Sequence, residues 1–247
     1  MPRYFLEVFY KGEGFSGFQI QRNAVTIQSE IEKAVEIFFR KPVSLTGSSR
    51  TDAGVHALQN FFHFDWDDDF PQTALYNLNA ILPTGIVIKS VRKVLPDAHC
   101  RFHASSREYK YYIFNTKDPF LDDRAWHLPF TVNKELLDDC AALIKQYNDF
   151  TAFCKQSTQV KTFLCTISES RWIYENGCLT FHIKSNRFLR GMVRGLVGTM
   201  IRVARGNMTF GEFHQLIKEQ NQSTADFSAP AKGLFLVRVS YPEEIFL

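Results

Sequence analysis

The sequence predicts an α+β protein of two ferredoxin-like subdomains (split βαβ units), their antiparallel sheets joined side by side with a cleft between them. Three observations carry that expectation. Strand and helix patterns follow the order β-α-β-β-α-β up to about residue 100. The same grammar recurs loosely afterwards. Composition is that of a folded chain, 45% hydrophobic with 24 phenylalanines and 22% charged residues. At 247 residues the chain can form one large domain or two small ones, either with a proper core, and the expected subdomains are 1–102 and 103–247.

The elements follow in order. Residues 3–10 are rich in Phe, Tyr, Val and Leu and read as a strand. Residues 11–21 form a loop with Gly12, Gly14 and Gly17, whose spacing is not a nucleotide-binding pattern. It suits either an RNA contact or the edge of a core. Thr26 is a good helix N-cap with Glu30 in the first turn, and Ile27, Ile31, Ala34, Val35 and Phe38 share one face until Pro42 stops the helix. Strands are expected at 42–46, 59–66 and 86–95, with a short helix at 75–81. Asp67, Asp68 and Asp69 read as a solvated turn. In the second half, strands are expected at 106–115 and 234–241, helices at 133–147, 186–205 and 210–219. A hairpin at 167–174 and 178–185 turns on Asn176-Gly177.

Net charge is only +3, so a nucleic-acid partner has to be argued from local clustering. The five cysteines are spaced without a Cys-x-x-Cys, and no His/Cys run has zinc spacing, so no metal site is expected. The N-terminus has no signal-peptide core, and no apolar run approaches the roughly 20 residues that span a bilayer. These features predict a cytoplasmic protein with free thiols and no membrane partner.

Between two predicted strands lies Gly47-Ser48-Ser49-Arg50-Thr51-Asp52-Ala53-Gly54-Val55-His56-Ala57. A connecting turn needs Gly, Asn or Asp, but it has no use for an Arg and a His as well. Residues 49–57 resemble the Gly-Arg-Thr-Asp-Ala-Gly-Val-His-Ala signature of the tRNA pseudouridine synthase A family, with Ser49 where that family usually has Gly. Further blocks resemble the family in the same order: residues 10–21 (Phe18 standing where Trp is frequent), 101–111, 186–198 and 233–236. The resemblance implies isomerisation of uridine to pseudouridine in the anticodon stem-loop of tRNA, just 3′ of the anticodon at positions 38–40, by a homodimer without cofactor. It makes Asp52 the essential residue, either nucleophile or base.

Two other stretches fit that expectation. On the predicted helix 186–205, Arg187, Arg190, Arg194, Arg202 and Arg205 fall within an arc of about 120° at about 100° per residue. No acidic residue lies between Glu175 and Glu212, which points to phosphate or carboxylate partners. Gly191, Gly195 and Gly198 lie on or beside that face, each costing up to roughly 1 kcal/mol relative to Ala. Close approach of another backbone, protein or RNA, would offset them. On the strand 106–115, Arg107, Tyr109, Tyr111 and Ile113 share one face, and aromatics beside cations on a sheet can hold unstacked bases. With the resemblance, Tyr109 is expected to stack on the uracil, and Arg107, Arg187 and Arg190 to bind substrate. Arg194 is expected to keep Asp52 ionised against burial, and Arg50 to act in base flipping. His56 is expected to support the loop. The competing expectation is a non-catalytic RNA-binding protein, which would explain the basic residues but not Arg50 and Asp52 in one tight loop.

Overall fold

The computed structural model describes residues 1–67, 69–155 and 161–247; Asp68 of the predicted acidic turn lies outside them. The chain forms two compact units: Met1–Ser105 together with Phe235–Leu247, and Ser106–Leu234. The last thirteen residues therefore pack with the first unit, whereas the sequence placed them in the second.

In the first unit, strands β1 (Arg3–Tyr10), β2 (Thr46–Gly47), β3 (His56–Asp65) and β4 (Ile86–Val94) alternate with helices α1 (Ile27–Phe39) and α2 (Ala74–Ile81). The order across the sheet is β4-β1-β3-β2, antiparallel throughout these four, which is the split βαβ arrangement. The expected strand at 42–46 shrinks to two residues, because exposed Pro42 and Ser44 flank it and only Thr46 and Gly47 reach the ladder. A later strand, β9 (Leu234–Ser240), pairs with β3 in parallel at His56 and Ala57, so the sheet is not wholly antiparallel.

The period-2 pattern of β1 separates two packed faces. Tyr4, Leu6, Val8 and Tyr10 are all buried on one, where Tyr4 meets Phe70 and Phe64, and Phe70 in turn meets Phe39 of α1. Thr26 caps α1 by a capping box with Ser29, and Arg40 ends the helix in the left-handed region at φ 52°, before Pro42 is reached. On the other face Phe5 and Phe61 pack edge-on against Tyr241, and Phe5 against Phe246. That contact is why the C-terminal residues belong to this unit.

In the second unit, β5 (Ser106–Phe114), β8 (Cys178–Ser185) and β7 (Ile167–Glu175) lie in that order, antiparallel, and a two-residue β6 (Trp126–His127) pairs parallel with β5. Asn176 and Gly177 turn the β7–β8 hairpin with φ 51° and 75°, the doubly positive pair that matches strand twist. Helices α3 (Lys134–Ile144), α4 (Met192–Ala204) and α5 (Phe210–Lys218) bury Leu137, Cys140, Leu196, Met200 and Phe213. Burial pushes the Cys140 thiol up to about 12.

The basic helix differs from expectation. It begins at Met192, because Gly191 sits at φ 73°, outside helical space, and residues 186–191 form an irregular connection. Arg187 and Arg190 are therefore not on the helix, and the five-arginine arc does not exist. Its glycine face is covered by protein. A Cβ on Gly198 would lie 2.3 Å from the Asp226 carbonyl oxygen, and one on Gly195 would lie 2.7 Å from the Phe227 ring. Thr199 Oγ1 accepts from Asp226 N–H at 2.9 Å, Arg202 donates to Thr224 O at 3.1 Å, and Arg194 Nε donates to Ala229 O at 2.7 Å. Arg205 caps the helix with its guanidinium 4.1 Å from the Phe130 ring centroid.

Helix propensity alone favours Gly198→Ala by about 1 kcal/mol, whereas the clash with a backbone oxygen predicts a loss of about 1–3 kcal/mol. The urea midpoint should fall for Gly198→Ala and hold or rise for Gly211→Ala, whose added Cβ meets nothing nearer than 3.9 Å. A stabilised Gly198→Ala would refute the close packing of residues 224–229 on α4.

Candidate active site

The loop at residues 47–57 is built by turning its hydroxyl side chains inward. Ser48, Ser49 and Thr51 are buried, while Arg50 is exposed and Asp52 half-buried. Ser48 N–H donates to Phe61 O at 2.8 Å, continuing the β2–β3 pairing by one residue. Buried Asn60 on β3 donates from Nδ2 to Ser49 O at 2.9 Å and to Tyr10 OH at 3.1 Å. Tyr10 OH also meets Thr51 Oγ1 at 2.7 Å. Asp52 then opens a tight turn, its carbonyl accepting from Val55 N–H at 3.1 Å, with Gly54 at φ 78° in the third position. The turn presents the Asp52 side chain while its backbone groups are tied inward.

The glycine loop at residues 11–21 is the other half of this construction. A Cβ on Gly12 would sit 2.1 Å from Val55 O, and one on Gly17 (φ 97°) 3.1 Å from Thr51 O. Two backbones are therefore in direct contact where only glycine fits. Phe18 N–H donates to Thr51 O at 3.1 Å, and Gly12 N–H donates to His56 Nδ1 at 3.2 Å. The Phe18 ring is 1% exposed, stacks on Phe62 at 4.3 Å, and fills the space a Cβ on Gly47 would need. These contacts place Phe18 at the edge of the core. His56 is 2% exposed and stacks on Phe235 at 4.5 Å. Its Nδ1 accepts a backbone hydrogen bond and is thus the unprotonated nitrogen. The supporting role expected for His56 is what its contacts describe.

Sequence reasoning missed Tyr10, Asn60 and Gly12 as parts of this site. The Gly12, Gly14, Gly17 spacing was the available signal, since two of those glycines mark backbone approach to the Asp52 turn.

The remaining predicted residues lie in the second unit. Tyr109 is buried on β5, edge-on to Phe188 with ring centroids 5.0 Å apart. Arg107, two residues earlier on the same strand and face, is 9% exposed and donates from Nη1 to Asn186 O at 3.1 Å. The two are thus brought together with the irregular 186–191 connection, which carries half-buried Arg187 and exposed Arg190. Lys155 N–H donates to Arg190 O at 3.0 Å, so that connection is anchored at its end. Arg194, in the first turn of α4, is half-buried. Burial pushes the Tyr111 hydroxyl far above its ordinary value, with Arg194 opposing the shift, and that hydroxyl donates to Pro230 O at 2.7 Å. Tyr111 is therefore a structural donor and not an acid.

Among the described residues, the grouping of three side chains able to hold a metal ion is His63, His99 and Cys100, and it includes no residue of the Asp52 loop. No described helix is long and apolar enough to cross a membrane.

Comparison with known proteins gives the class first. Residues 147–242 match the family model of the tRNA pseudouridine synthases. Over the whole chain, the tRNA pseudouridine synthase A of Parabacteroides distasonis is 42% identical across 248 residues, covering 100% of this chain and 98% of that protein. The protein of the same name from Porphyromonas gingivalis is 42% identical across 252 residues, covering 100% of both chains. One from Staphylococcus aureus is 33% identical across 248 residues, covering 99% of this chain and 93% of that protein. The chain belongs to the tRNA pseudouridine synthase A family.

Tyr10→Phe keeps the ring but strips Asn60 and Thr51 of a buried partner, which should cost about 1–3 kcal/mol. Thermal unfolding reads the stability, and turnover should fall along with it because Thr51 adjoins Asp52. An unchanged melting temperature and unchanged turnover would show that the Tyr10 hydroxyl does not hold the loop.

Proposed function

We propose that this protein isomerises uridine to pseudouridine in tRNA, with Asp52 as the essential carboxylate. The observation that carries the reading is the Asp52 turn, a half-buried acidic residue between Thr51 and Val55, whose backbones are held against the Gly12–Phe18 loop, in a chain alike over its full length to proteins named for that reaction. The reaction breaks the N1–C1′ glycosidic bond, turns the ring and joins C5 to C1′. The C5 proton leaves and N1 gains one, so composition and oxidation state are unchanged. The proposal accordingly includes no redox or nucleotide cofactor. A carboxylate serves either by adding covalently to the nucleoside or by removing the ribose 2′ proton, and Asp52 is assigned whichever of these operates.

A uridine inside a stem is inaccessible unless flipped out. Exposed Arg50, two residues from Asp52, is assigned to flipping or to filling the vacated space. Tyr109 is assigned to the flipped uracil, Arg194 to the catalytic cation, and Arg107, Arg187 and Arg190 to substrate binding. Further parts of the proposal are a target in the anticodon stem-loop at positions 38–40, a homodimeric assembly and a cytoplasmic location. The family resemblance supports the first two, and the five free cysteines support the last.

Asp52→Asn keeps shape without a carboxylate. It should abolish pseudouridine formation on bulk tRNA while tRNA affinity stays within about tenfold, or roughly 1.4 kcal/mol. Measurable turnover by this variant would remove Asp52 from the chemistry.

Two arginines are expected to behave differently toward salt. Exposed Arg190 fits a phosphate contact, so Arg190→Ala should lower the slope of log affinity against log salt by roughly 0.7 to 0.9. Arg202→Ala should leave the slope unchanged, because half-buried Arg202 is engaged with Thr224 O within the unit. Equal slopes for Arg190→Ala and the unmodified protein would take Arg190 out of the binding surface.

A further inference from the structure

His63, His99 and Cys100 are far apart or adjacent in sequence without any metal-ligand spacing, yet folding gathers them. His63 lies on β3, opposite Thr46 of β2, and His99 and Cys100 follow β4. One ligand atom from each lies within 4.8 Å of the others. Cys100 Sγ is 3.2 Å from His63 Nδ1, and the two imidazole rings are 4.5 Å apart.

The hydrogen bonds tell which ring nitrogen is unprotonated. Cys100 N–H approaches His63 Nδ1 at 3.4 Å, and Arg101 N–H donates to His99 Nδ1 at 3.1 Å, so Nδ1 is the unprotonated nitrogen of both rings. The Cys100 thiol has Thr46 O at 3.0 Å and His63 Nδ1 at 3.2 Å, but only one proton to give. The thiol sulfur and the ring nitrogens thus lie close together, with each Nδ1 lone pair held by a backbone N–H. One thiol and two imidazoles gathered this closely are the N and S donors that a soft divalent cation takes once those backbone donors are displaced. A tetrahedral zinc ion with N and S ligands has ligand–ligand edges of about 3.3–3.6 Å. In the cluster the Sγ–Nδ1 pair stands at 3.2 Å and all three ligand atoms lie within 4.8 Å of one another, and the ring with room to close it is half-exposed His99. Coordination would displace one long hydrogen bond and one to the amide of exposed Arg101, which water can replace. Arg3 is held by Asp65 at 2.7 and 2.8 Å and by Ala98 O at 3.1 Å, so its charge is offset in part.

We propose that His63, His99 and Cys100 form a binding site for a thiophilic divalent cation such as Zn²⁺, with water in the fourth position. The ion would tie β3 and β2 to the segment after β4. Cys100 already reaches Thr46 through its thiol, and Tyr241 through its carbonyl, which accepts from Tyr241 OH at 2.6 Å; the same hydroxyl reaches Ser48 Oγ at 3.2 Å. Thr46 and Ser48 flank the entry to the Asp52 loop, so the ion would act as a brace and not as a participant in chemistry. This site stands independently of the reaction proposed above.

The test is a titration of reduced, metal-free, full-length protein with Co²⁺, followed by Zn²⁺ competition. One equivalent of Co²⁺ should give a thiolate-to-metal charge-transfer band with tetrahedral d–d bands, and Zn²⁺ should erase both and raise the melting temperature. Cys100→Ala should lose the charge-transfer band. His99→Ala, at a half-exposed position where folding is not at stake, should weaken Co²⁺ binding at least about tenfold. An unmodified protein without the thiolate band, a band that survives in Cys100→Ala, or a His99→Ala protein that titrates like the unmodified one would each overturn the proposal.

Discussion

The contact of Gly12 with the Val55 carbonyl is the constraint on which the candidate site depends. A Cβ at position 12 would stand 2.1 Å from that oxygen, a separation real side chains do not reach. Because two backbone segments touch there, the loop at 47–57 can close over residues 11–21 and draw hydrogen bonds from them. Phe18 N–H takes Thr51 O, Gly12 N–H takes His56 Nδ1, and the Phe18 ring occupies the space left by Gly47. Asp52 is thereby carried on a turn whose flanking residues on both sides are committed. That is preorganisation achieved by protein contacts alone, and it lowers the ordering cost that a substrate would otherwise meet.

The same device recurs in the second unit. Gly195 and Gly198 let residues 226–227 lie directly on α4, and Arg202 and Arg194 donate to carbonyls of the covering strap. A helix face that reads as an open basic stripe is thus largely a protein–protein contact within one unit. Arg187 and exposed Arg190 sit instead on the connection ahead of the helix, either side of Phe188, which meets Tyr109 edge-on.

Much of the fold was legible because hydrophobic periodicity is a local signal. Thr26, the Ile27–Ile31–Val35 face and the Asn176-Gly177 turn each specify their element without help from distant residues. The limits of α4 were not legible, since an unbroken run of apolar and basic residues continues through Asn186 to Met192 and only the positive φ of Gly191 ends it. The return of residues 235–247 to the first unit was also hidden. It depends on Tyr241 and Phe246 meeting Phe5 and Phe61, residues from opposite ends of the chain. At the site, Asp52 and Arg50 were visible in a single motif, whereas Tyr10 and Asn60 were not, because their roles exist only through pairs more than ten residues apart. The His63, His99 and Cys100 cluster escaped notice for the same reason.

Amide hydrogen exchange on the RNA-free protein tests the central claim, that the Asp52 loop is shaped before substrate arrives. The amides of Gly12, Phe18, Ser48 and Val55 donate to His56 Nδ1, Thr51 O, Phe61 O and Asp52 O. These four should exchange as slowly as amides of the β1–β3 ladder. Exchange at the rate of an open surface loop, slowing only when tRNA is added, would contradict a preformed turn and place the ordering of Asp52 in the binding step.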